Sequence, residues 1–103
     1  MELANIKSGK KWLLGIDGSK SPLEIGYFEK PKDAMHYHRS VYEYYIVISG
    51  RLTLFVDGKD VDLKSGDVCC IIPEEKHFIK TTSKGLRCYL VKWPHKPKDK
   101  VLC

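Results

Sequence analysis

His36-Tyr37-His38 is followed by Glu43 five residues on and, much later, by a lone His77. Alternate residues of a β-strand project to the same face, so an extended segment lets His36 and His38 converge on one point. Two imidazoles and a carboxylate suit Zn, Fe, Ni, Mn or Cu, and a third imidazole completes the set. One divalent ion held by four such ligands in octahedral geometry keeps positions open for water, dioxygen or a substrate oxygen.

The elements that must position these residues read as strands. Leu23 to Phe28 is a short strand, bounded by a turn at Asp17-Gly18-Ser19 and a loop at residues 30–33. Met35 to Arg39 carries the histidine pair. Glu43 to Ser49 is rich in aromatic and β-branched residues, and Gly50 ends it. Arg51 to Val56 alternates, Asp57-Gly58 predicts a hairpin turn, and Val61 and Leu63 lie on the returning strand. Val68 to Ile72 is a continuous apolar run that predicts a strand covered on both faces. After the break at Pro73-Glu74-Glu75, His77 to Thr81 resumes, and Leu86 to Trp93 forms a last strand closed by Pro94. No stretch carries a sustained 3.6-residue period. Short strands with turn signals every eight to twelve residues predict an all-β sandwich or barrel.

On this reading Glu43 opens its strand at the cavity mouth, with Tyr45 and Val47 continuing inward. His77 shares a face with Ile79 and Thr81. The last strand divides into a Cys88, Leu90, Lys92 face and a Tyr89, Val91, Trp93 face, and its sequence does not say which is interior.

Composition bounds the rest. The chain has 103 residues, 43% of them hydrophobic and 30% charged, as in an ordinary globular domain. The longest apolar runs fall far short of the ~18 residues of a membrane span. The segment Met1 to Leu14 is broken by charges and does not read as a secretory signal, so a cytoplasmic location is expected. The net charge of +5 comes from 15 lysines and only 3 arginines. Without arginine forks interleaved with aromatics, this reads as a solvated surface with a bias toward anionic small molecules, not a nucleic-acid interface. Cys69, Cys70, Cys88 and Cys103 lack metal-site spacing and read as reduced thiols, with one of Cys69 and Cys70 turned inward. His95 falls in a polar tail and reads as a surface residue.

The spacing resembles that of the cupins, small jelly-roll barrels. Their first motif is His-x-His, three or four residues, Glu, six residues, Gly; here it is met by His36, His38, Glu43 and Gly50. Gly66, Pro73 and His77 follow the second motif, with a turn one residue shorter and Thr81 in place of its asparagine. The resemblance implies a double-stranded β-helix in a single cupin domain over residues 1–103. The core barrel would span about 23–94, after an N-terminal segment 1–22 and before a Lys/Pro-rich tail 95–103 that does not pack deeply. It further implies one divalent transition metal (Fe, Zn, Mn, Ni or Cu) on His36, His38, Glu43 and His77. An interior with no use for metal would have little reason to gather these polar groups.

Two functions follow from the resemblance. One is a metalloenzyme, either a dioxygenase or an isomerase or lyase acting on a sugar or keto acid. The other is a module that binds or senses a small ligand without turnover. Such modules are usually fused to a DNA-binding domain, for which 103 residues leave no room, and this favours the enzyme. Tyr45 is the candidate cavity-lining acid or hydrogen-bond donor. Tyr44, Ile46 and Ile48 form an apolar outer face that predicts a homodimer, unless the segment around Trp12, Leu13 and Leu14 covers it.

Overall fold

Period-two alternation and turn residues with positive φ build this molecule. The computed structural model describes residues 1–103. Ten strands lie in two antiparallel five-stranded sheets, and the only helical element is a 3-10 turn at Ile6–Ser8. The first sheet runs β1 (Trp12–Leu14), β2 (Glu24–Phe28), β9 (Arg87–Trp93), β4 (Tyr42–Ser49), β7 (Val68–Ile71). The second runs β10 (Lys100–Leu102), β3 (His36–His38), β8 (His77–Thr82), β5 (Arg51–Val56), β6 (Lys59–Lys64). This is the jelly-roll cupin fold that the motif implied.

Apolar side chains fill one end of the space between the sheets. Tyr45, Val47, Leu52, Leu54, Leu63, Ile71, Leu86 and Cys88 form the buried cluster. Asp57 and Gly58 both take positive φ, which matches the twist of the β5–β6 hairpin. Gly50, between β4 and β5, has φ 77°, and a Cβ there would lie 2.6 Å from Leu86 Cα. The motif glycine is thus required by backbone conformation and by close approach.

Three expectations change. The β7 run is not covered on both faces: it is the sheet's edge strand, with Ile71 buried, Cys70 exposed and Val68 63% exposed. An apolar run by itself does not reveal an edge. The N-terminal segment does not cover the outer face of β4; β1 extends the sheet beyond β2. Finally, the chain after Pro94 returns as β10, which pairs along the whole of β3. Its anchor is Asp99, which a count of polar tail residues does not single out.

Candidate metal centre

Register brings the four motif residues together. β3 places His36 and His38 on one face, and both are buried. β8 lies beside β3 with His36 opposite His77. Glu43 enters from the other sheet, on the inward face of β4 with Tyr45 and Val47. His77 has no exposed surface and Glu43 only 3%. Their ligating atoms all lie within 4.8 Å of one another.

Backbone carbonyls fix two of the imidazoles. His36 Nδ1 donates to Ala34 O at 2.7 Å, and His77 Nδ1 donates to Glu75 O at 2.8 Å, since a carbonyl can only accept. In the neutral ring this leaves the Nε2 lone pair aimed into the cluster. All three Nε2 atoms face one oxygen, Glu43 Oε1: His38 at 2.6 Å, His77 at 2.9 Å and His36 at 3.8 Å. The His38 approach is close but not aligned as a hydrogen bond, and neither of its buried ring nitrogens has a partner. Lone pairs converging on a carboxylate oxygen repel unless a cation or protons lie between them.

The electrostatics carry the same signature. Burial alone would raise the Glu43 pKa, but His36, His38 and His77 outweigh it and hold the carboxyl far below the usual range. Burial would lower the His77 pKa, yet the bond to Glu43 raises it. Protons can therefore balance Glu43, and a divalent ion competes with them for the same nitrogens. These buried residues could hold a metal.

The loops that aim His77 are tied on both sides. The Pro73-Glu74-Glu75 turn has Glu74 at φ 74°, and Glu74 N donates to His38 O at 2.7 Å. From the β5–β6 hairpin, Asp57 accepts from Lys76 N at 2.9 Å and its own N–H donates to Lys76 O at 2.8 Å. The shorter turn still delivers His77 to the cluster.

The cluster opens into a cavity of about 210 Å³, lined by His36, His38, Glu43 and Tyr45 together with Trp12, Phe28, Ile79, Leu90, Lys92 and others. Burial, with Glu43 adding to it, pushes the Tyr45 phenol well above its ordinary pKa, so it stays protonated. Register settles the last strand: Cys88, Leu90 and Lys92 face inward, opposite Val47, Tyr45 and Glu43. Cys69 also faces inward but packs on the apolar core, whereas Cys70 faces out. His95 is a surface residue, with Nδ1 3.2 Å from Glu24 Oε2. Trp12, Phe28 and Lys100 line the cavity without any motif to announce them.

A family model for the cupin domain matches residues 27–92. The chain belongs to the cupin family. A Cupin 2 conserved barrel domain protein from Salinispora arenicola is 22% identical to this cupin, with a TM-score of 0.69 over 90% of this chain and 88% of that one. A Streptomyces Pac13 variant with uridine is 18% identical, with a TM-score of 0.68 over 88% of this chain and 76% of its own. Pac13 is described as a nucleoside dehydratase. At such identities the likeness carries the fold alone. The oxalate-binding protein of Thermotoga maritima is 38% identical over 48 residues, 47% of this cupin. That match spans only 40% of the relative's length. No helix is long and apolar enough to cross a membrane.

Proposed function

We propose that this cupin holds one divalent transition metal, Fe, Zn, Mn, Ni or Cu, on His36, His38, Glu43 and His77, and acts as an enzyme on a small anionic molecule. The observation that carries this reading is the convergence of three Nε2 atoms on Glu43 Oε1, with Nδ1 of His36 and His77 committed to backbone carbonyls. When bound, the ion supplies Lewis-acid polarisation of a substrate oxygen for isomerase or lyase chemistry, or redox chemistry if it is iron.

The chain's own residues supply the rest. Tyr45, a neutral phenol in the cavity wall, can donate a hydrogen bond or a proton to a substrate oxygen. Phe28, Ile79 and Leu90 exclude water from one side of the cavity. Four unpaired thiols fit a reducing, cytoplasmic setting. The uncovered outer face of the first sheet supports a homodimer.

A second reading is binding without turnover, favoured by the partial match to an oxalate-binding protein. Metal analysis of untagged protein tests what both share: about one equivalent is expected after reconstitution, and less than about a tenth with every first-row metal would sink the centre. Thermal-shift screening with sugar phosphates, uronates and keto acids, followed by a turnover assay on each hit, separates enzyme from binder.

A further inference from the structure

Two strand-borne lysines, one from each sheet, line the cavity beside the metal-ligand cluster, and Lys32 on the loop before β3 lines it too. Lys92 on β9 stands directly opposite Glu43, and Lys100 on β10 stands directly opposite His38. Paired residues of an antiparallel ladder share a face, so both side chains lie on the inward side and line the cavity. Neither has a carboxylate within 4.0 Å; the one lysine ion pair in the molecule is Lys80 with Asp60. The acids near them are already engaged. Glu43 faces three imidazoles, Glu24 lies 3.2 Å from His95, and Asp33 accepts from Ile79 N at 2.7 Å. Lys92 has Glu24 and Glu43 as its two ladder neighbours, neither within 4.0 Å of its ammonium, and its Nζ lies 5.7 Å from the Trp12 ring centroid.

Unpaired ammonium groups at one cavity are mutually unfavourable, and a divalent ion behind them adds to the positive field. An anionic occupant relieves both. We propose that Lys92 and Lys100 form an anion-binding pair, and that the ligand is a short-chain acid with two oxyanionic groups, a dicarboxylate. One group would turn toward His36, His38, Glu43 and His77, and the other would rest between the two ammonium groups. The cavity, at about 210 Å³, is below the range usual for drug-sized ligands, and its apolar wall of Phe28, Ile79 and Leu90 suits a short carbon skeleton. This assignment rests on the metal-centre reading for the first group but not for the second.

Isothermal titration of malonate and of neutral malonamide into metal-reconstituted and metal-free protein tests it. Malonate is expected to bind and malonamide not. Lys92→Met and Lys100→Met should each weaken malonate about tenfold, as expected for losing one charge-assisted contact, while Lys100→Arg retains affinity. Metal content of the methionine variants should stay at the wild-type value, which also reports that they fold. Lysine-dependent malonate binding in metal-free protein would support the pair even if the cupin retained no metal. Equal affinity for diacid and diamide, or malonate binding unchanged in the double methionine variant, would overturn the pair and leave the metal centre standing.

Discussion

His38 and His77 aim at the same carboxylate oxygen but differ in what else they hold. Neither ring nitrogen of His38 has a hydrogen-bond partner, whereas His77 Nδ1 satisfies the carbonyl of Glu75 from a fully buried position. His38→Ala and His77→Ala should therefore each weaken metal binding by more than about 100-fold, beyond the cost of losing only a supporting contact. Their effects on the metal-free fold should diverge. His77→Ala leaves a cavity and an orphaned carbonyl, costing roughly 2–4 kcal/mol, while His38→Ala should cost roughly 1–2 kcal/mol. Metal stoichiometry together with urea unfolding of metal-free variants checks both; tight stoichiometric metal in either variant would falsify the ligand assignment. The histidine pair was legible in sequence because strand alternation fixes which side chains converge. Lys92 was not, because only the pairing of Glu43 with Lys92 decides which face of β9 is interior.

At the scale of elements, β4, β5 and the Asp57-Gly58 hairpin could be read from alternation and turn chemistry, whereas β10 could not. Three residues, Lys100 to Leu102, carry too little pattern to announce a strand, and what seats them is a long-range contact. The Asp99 carboxylate accepts from Ser40 N at 2.9 Å, Val41 N at 3.0 Å and Ser40 Oγ at 3.0 Å, capping the loop between β3 and β4. Asp99 thereby ties β10 to the loop that links the histidine pair to Glu43. Burial would raise its pKa, but the bonds from Ser40 and Val41 hold it below the ordinary value of 3.8. A depressed folded-state pKa gives stability that is present above the unfolded value and lost as pH falls through the folded one. Asp99→Ala should lower stability at pH 7 by roughly 1–3 kcal/mol through the orphaned N–H groups. Urea midpoints of wild type and variant should converge as the buffer is taken below about pH 3.8. A constant gap across that range would show that packing, not the charged carboxylate, seats the strap.

For the whole molecule, the alternation that gathers Glu43, Lys92 and Glu24 on the inner side of the first sheet strips charge from its outer side. The outer positions are Ile25 and Tyr27 on β2, Tyr89, Val91 and Trp93 on β9, Tyr42, Tyr44, Ile46 and Ile48 on β4, and Val68 and Cys70 on β7. Arg87, at the start of β9, is the charged residue on this face. Ile48 is 38% and Trp93 47% exposed, so the face is open. Because none of the lysines occupies these positions and Arg87 sits at the end of its strand, two copies can meet there without like charges opposed across the centre. A contiguous apolar face of this kind is what a partner covers. Wild-type protein should therefore run as a dimer in light scattering, and Ile46→Lys, which places a charge mid-face, should convert it to monomer. Since Ile46 points away from the cavity, metal stoichiometry should be unchanged in that monomer. A wild-type monomer at concentrations of about 10⁻⁴ M would exclude the proposed dimer, as a stable self-complementary interface is populated well below that level.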